Sequence, residues 1–185
     1  MARIGILALQ GAVEPHARAL CAIGHEAVEV RYAVQLDDIC GLVLPGGEST
    51  TQRKLLESAG LIDGLDAFAR AGRPILATCA GLILAATPGL SWLDVDVIRN
   101  GWGRQVESCE TTDDSGRHRI VLIRAPRITR VGPSVEVLAT LGGEPILVRR
   151  GAIVGATFHP ELTDDVEIHR SVFPPILAVG PACEL

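Results

Sequence analysis

"RPILATCAGLILAAT", residues 73–87, sets a cysteine between two apolar runs of different kinds. "PILAT" (74–78) is short and ends on a β-branched threonine, which reads as a buried strand. Residues 80–86 are small and apolar and read as the helix that follows. Cys79 therefore stands where a strand hands over to a helix. One reading makes it a small core hydrophobe, and the other makes it a nucleophile.

The same alternation extends upstream. "RIGILAL" (3–9) reads as a buried strand, followed by Gln10-Gly11 and a helical pattern over 12–23 with Pro15 in its first turn, where proline is tolerated. "EAVEVR" (26–31) and "GLVLP" (41–45) are further strands. Ser49 and Gln52 have the spacing of a capping box for a helix reaching Leu56, and a second helical run spans 61–71. Strands and helices alternating at this spacing predict a mostly parallel sheet covered on both faces, an α/β fold. From about Leu93 the pattern changes to short strands ("LDVDVI", "RQVESC", "RIVLIR", "VEVLAT", "PILVRR", "AIVGATF") separated by turns. These are expected to add antiparallel hairpins to the parallel core. "TTDDSGRH" (111–118) is expected to be a polar turn, and Pro174-Pro175 to stop a last helix begun near Asp164.

At 185 residues, with 48% hydrophobic and only 3% aromatic residues, the chain suits one packed domain with an aliphatic core. We place that domain at 1–172, with 173–185 an irregular tail. A net charge of −5 without a basic cluster argues against nucleic acid. No apolar run is long enough to span a bilayer, so the expectation is a cytoplasmic protein without a membrane role. The five cysteines are scattered, with neither CxxC pairs nor metal-ligand spacing, so neither a metal site nor a disulfide frame is expected.

Three stretches carry chemistry. A cysteine at a helix start lies among unpaired backbone N–H groups, a setting that favours the reactive thiolate form. Small Ala80 and Gly81 resemble the neighbours of a nucleophile elbow, and the Ala80 N–H is a natural oxyanion donor. In "TFHPELTDD" (157–165), Pro160 biases His159 toward extended backbone, which would place His159 and Glu161 on one face. A carboxylate there fixes the imidazole's tautomer and stabilises the imidazolium. His16, His25, His118 and His169 lack such a setting and are expected at surface or helix positions. In "LPGGEST" (44–50), Gly46-Gly47 permits close approach of a ligand, Gly47 offers an oxyanion N–H, and Glu48 can pair with a substrate ammonium. Arg104 in "RNGWGRQ" and Arg124 in "LIRAP" are candidate partners for a carboxylate. Arg124, on an otherwise apolar stretch, is expected at an edge or cleft.

Taken in order, "GILALQGAVEPH", "GLVLPGGESTT", "TCAGLILAA", "RNGWGRQVES", "LIRAP" and "TFHPELTDD" resemble the glutaminase subunits of bacterial pyridoxal 5'-phosphate synthase, members of the class I (triad) glutamine amidotransferases. The resemblance spans roughly residues 3 to 170. It implies a three-layer, flavodoxin-like fold and hydrolysis of L-glutamine, with Cys79 as nucleophile, His159 as base then acid, and Glu161 as its orienter. It also implies glutamine binding by Gly47, Glu48, Ser49, Arg104, Ile123 and Arg124, oxyanion donors at Gly47 and Ala80, and Gln10 near that hole and the partner interface. No cofactor is implied. The implied partner is a (β/α)₈-barrel synthase subunit in a large hetero-oligomer, which receives the ammonia. The short "TPGLS" loop, Trp102 in place of phenylalanine, and Pro174-Pro175 depart from the pattern. Three other readings stay open on the residues alone: an amidotransferase subunit for another acceptor, a non-catalytic regulatory subunit, and a cysteine hydrolase or chaperone-like protein of similar fold.

Overall fold

A computed structural model describes residues 1–102 and 109–175 of the chain. Arg104, most of "RQVESC" and the end of the tail lie outside the described residues. The elements alternate from the start: β1 (Arg3–Leu7), α1 (Val13–Ala22), β2 (Glu26–Val30), β3 (Gly41–Leu44), α2 (Ser49–Ser58), α3 (Ile62–Arg70), β4 (Ile75–Thr78) and α4 (Ala80–Ala85). Seven strands and one helix follow: β5 (Val95–Ile98), β6 (Cys109–Thr112), β7 (Arg119–Leu122), β8 (Arg127–Val131), β9 (Glu136–Leu141), β10 (Glu144–Arg150), β11 (Ile153–Ala156) and α5 (Glu167–Val172).

One seven-stranded sheet in the order β2-β1-β3-β4-β11-β10-β9 organises the molecule. β2, β1, β3, β4 and β11 run parallel, while β10 and β9 continue the sheet antiparallel. The central strands β3, β4 and β11 are buried along their whole length, as strands covered on both faces must be. Their side chains alternate between two cores. Leu42, Leu44, Ile75 and Ala77 meet Leu56, Leu65, Phe68 and Leu82 of α2, α3 and α4 on one face. Ile4, Ile6, Val43 and Leu76 meet Leu20, Ile168 and Val172 of α1 and α5 on the other. Each fully buried Leu or Ile contributes about 1.5–3 kcal/mol, so these two faces supply most of the driving force. The result is three layers, as the alternation of the first half predicts.

Several expectations change. "AIVGATF" forms the expected antiparallel hairpin with β10, but its other edge joins the parallel core: β11 pairs parallel with β4 in the centre of the sheet, through Ile153–Ile75 to Ala156–Thr78. Its all-apolar run is what a central parallel strand needs. β5 pairs with β8, and β6 with β7, as separate antiparallel pairs. β6 takes Thr111 and Thr112 out of the expected polar turn, and β8 ("RITRV") has too many arginines to stand out as a strand. α2 carries no capping box, because Glu48 rather than Ser49 is its N-cap and no side chain caps it. Gln52 is fully buried and bonds elsewhere. The last helix ends at Val172, just before Pro174-Pro175, and Phe173 is buried against Gly41. Among the described residues no helix is long and apolar enough to cross a membrane.

Candidate active site

Four parallel strands deliver the site from their carboxyl ends, where ligands of open α/β sheets bind. Gln10 follows β1, Gly46 to Ser49 follow β3, Cys79 follows β4, and His159 follows β11. Gln10, Gly47, Glu48, Ser49, Cys79 and His159 line one cavity of about 300 Å³ together with Ala80, Ile83, Arg99, Asn100, Ile123 and Arg124. A larger cavity of about 510 Å³, beside Asp66, Trp92 and Arg150, is lined by neither cysteine nor histidine.

Cys79 adopts φ 47° and ψ −102°, a conformation that a non-glycine residue holds at a cost of about 1–3 kcal/mol. The surroundings enforce it. The Cys79 N–H donates to Ala156 O of β11 at 2.9 Å, while Cys79 O already accepts from Ile83 N in α4 at 3.3 Å. α4 must start at once and close to β3: a Cβ on Gly81 would lie 2.1 Å from Leu44 O, so only glycine fits there. The turn presents Sγ to the cavity, 3.9 Å from Ile123 O.

His159 is buried, and its Nδ1 lies 2.7 Å from Glu161 Oε1. Glu161 sits in a 3₁₀ turn (Pro160–Leu162) rather than in extended chain, so the turn, and not strand alternation, brings the two together. Burial works to lower the His159 pKa, but hydrogen bonds to Cys79 and Glu161 and their negative charges outweigh it, and the pKa is pushed up to about 10. Burial also opposes ionisation of Glu161, yet the facing His16 and His159 hold its carboxyl below the ordinary value. A base this strong, with its far nitrogen anchored on a carboxylate, can take a proton from the neighbouring thiol.

The loop after β3 is built for close approach. A Cβ on Gly46 would lie 2.4 Å from His159 Cε1 and 3.5 Å from Cys79 Cβ, so the backbone there touches both catalytic side chains. Gln10 Oε1 accepts from Glu48 N at 2.9 Å, and Gln52 Nε2 donates to Gln10 O and Pro45 O at 3.0 and 3.1 Å. Glu48 meets Arg124 at 3.3 Å and Arg99 at 3.9 Å. Arg124 lies beyond the end of β7 at φ 48°, in the cleft as expected.

The structure therefore gathers Gln10, Gly47, Glu48, Ser49, Cys79, Ala80, Ile123, Arg124 and His159 around one cavity, with Glu161 directly behind His159. Arg104 lies outside the described residues. Sequence reasoning missed Arg99, next to Asn100 in the "RNGWGRQ" stretch it had singled out, and it took the loop-bracing Gln52 for a capping partner. Of the other histidines, expected at surface or helix positions, His16 and His169 do lie on helices α1 and α5, but none is on the surface: His16, His25, His118 and His169 are all buried. His118, Asp165 and Glu167 bring ligand-type atoms within 4.8 Å of one another. Arg117 already pairs with Glu167, and Asp165 Oδ1 accepts from Glu167 N at 2.8 Å.

Comparison with known proteins agrees with this geometry. The model of the SNO glutamine amidotransferase family matches residues 6–173. The chain belongs to that family. It is a glutamine-hydrolysing enzyme with the α/β architecture of class I glutamine amidotransferases. A glutamine amidotransferase crystal structure superposes with a TM-score of 0.85 at 42% identity, covering 91% of this chain and 96% of the other. A relative from Halalkalibacterium halodurans, pyridoxal 5'-phosphate synthase subunit PdxT, is 48% identical over 92% of each chain. One of the same name from Pelotomaculum thermopropionicum is 44% identical over 98% of this chain and 99% of its own. The structure of PurLQS from Thermotoga maritima shares the fold, with a TM-score of 0.64 at 17% identity over 87% of this chain and 89% of the other.

Proposed function

We propose that this amidotransferase hydrolyses L-glutamine through a Cys79–His159–Glu161 triad and passes the ammonia to a barrel-shaped synthase subunit that makes pyridoxal 5'-phosphate. The observation that carries the chemistry is the strained Cys79 elbow beside a buried, carboxylate-anchored His159 in one cavity. The names of the PdxT relatives support the destination of the ammonia.

In this reading His159 accepts the thiol proton and Sγ attacks the side-chain amide carbon of glutamine. The negative oxygen that develops faces the N–H groups of Ala80 and Gly47. His159 returns the proton to the amide nitrogen, ammonia leaves, and a γ-glutamyl thioester remains. A water that loses its proton to His159 then releases glutamate and restores the thiol. Glu48 receives the substrate ammonium and Arg124 its carboxylate, with Ser49 and Ile123 beside them and Arg104 as a further glutamine-binding residue. Gln10 braces the Gly47 loop toward the partner. The amidotransferase domain comprises residues 1–172.

Glutamate release should be measured with and without the synthase subunit. Wild type should respond to the partner, and Cys79→Ala should lose activity by about 10⁴-fold or more while still binding it. An inactive wild type that binds the synthase would sink the catalytic reading.

A further inference from the structure

Behind Glu161 lies a chain of buried polar groups that the triad chemistry does not use. His16 of α1 is fully buried, and its Nδ1 lies 2.9 Å from Nε2 of His169, a fully buried residue of α5. His16 Nε2 lies 3.1 Å from Thr78 Oγ1, the residue just before the nucleophile, and 3.4 Å from Glu161 Oε2. That oxygen is buried and makes no hydrogen bond. So α1, β4, α5 and the 3₁₀ turn each send one polar side chain to a single point under the catalytic base.

One set of tautomers places a donor at Glu161. An ionised Glu161 can only accept, and a proton on His16 Nε2 would lie between Thr78 Oγ1 at 3.1 Å and Glu161 Oε2 at 3.4 Å. Burial drives the His16 pKa down against the pull of the Glu161 charge, which leaves it neutral with a single N–H. Its Nδ1 must then accept, and the donor is His169 Nε2–H. The last nitrogen, His169 Nδ1, carries no proton, in keeping with its lack of a partner. Apolar side chains would fill the same volume without burying polar atoms.

We propose that His16 is a positioning residue of the catalytic site: held in one tautomer by His169, it directs its Nε2–H at the free oxygen of Glu161 and thereby fixes the His159 imidazole in register with Cys79. Catalytic hydrogen bonds are often long at rest and tighten toward the transition state, when His159 becomes positive and Glu161 must stay ionised. The proposal rests on the triad reading and extends it by one residue.

The test compares His16→Asn with His16→Gln in the complex with the synthase subunit. The Asn amide reaches the position of Nδ1 but falls short of Glu161, whereas the Gln amide reaches the position of Nε2. His16→Asn should lower kcat by about 10-fold or more, with the KM for glutamine changed by less than about threefold. Its acidic limb of kcat should move to higher pH, because a carboxylate that loses a donor protonates sooner. His16→Gln should recover most of the rate and restore the limb. Equal rates and unshifted limbs in the two variants, a loss confined to KM, or a loss tracking the unfolded fraction in both overturns the proposal. If wild type itself releases no glutamate in the complex, the triad reading fails and takes this one with it.

Discussion

At Cys79 the unusual feature is the backbone, not the thiol. A residue held at φ 47° puts its side chain where a relaxed strand-to-helix turn would not, and two adjoining strands and a helix keep it there. His159 is likewise defined by what surrounds it: a carboxylate on one nitrogen, the thiol beside it, and the bare backbone of Gly46 against its ring. Gly46→Ala would press a methyl into His159 Cε1 while leaving the two cores untouched. Activity should fall by about 100-fold, the cost of displacing a catalytic group by about 1 Å, with the thermal midpoint close to wild type. A fully active Gly46→Ala enzyme would show that the imidazole tolerates another position. Cys79 and His159 were legible in the sequence as candidates, because a cysteine at a helix start favours the thiolate and a His-Pro-Glu stretch can set a carboxylate beside an imidazole. The contact between Gly46 and the imidazole was not, since residues so far apart in the chain meet only through the sheet.

Among the elements, α4 shows how tightly the nucleophile is set. It has six residues, starts directly after Cys79, and crosses Leu44 of β3 at a distance that excludes any side chain at Gly81. Gly81→Ala forces α4 or β3 to shift and should destabilise the fold by about 1–3 kcal/mol or more, read as a lowered denaturant midpoint. An unchanged midpoint would mean the crossing has slack. The strands of the first half were readable because buried parallel strands are continuous apolar runs. The later ones were read less well. β11 has the same kind of run, but nothing local says that its neighbours are β4 and β10, which lie on opposite sides of it and run in opposite directions.

Over the whole molecule, pH acts on stability through the buried histidines. Burial and the neighbouring His16 push the His169 pKa down to about 3, against an ordinary 6.5, and His16 is lowered mainly by burial. Their contribution is full above about pH 6.5 and is lost as pH falls toward the folded values, since the unfolded chain then binds protons that the folded one does not. The raised His159 has the opposite sign: its contribution is full below about pH 6.5 and is lost as pH rises through about 10. The thermal midpoint should therefore peak at about pH 6.5, and His169→Gln should flatten the acid side; an acid slope identical to wild type would rule this out. By itself the sequence determined the layered α/β class and marked a candidate nucleophile, a candidate base and the Gly46-Gly47 loop, because strand burial, turn geometry and residue chemistry leave local marks. Only the tertiary structure decided where β11 inserts, that the four remaining histidines are buried, and that the two on helices stand behind Glu161. A histidine's chemistry depends on which groups its ring nitrogens meet, and α1, β4, α5 and the 3₁₀ turn supply those groups only after the sheet has brought them together.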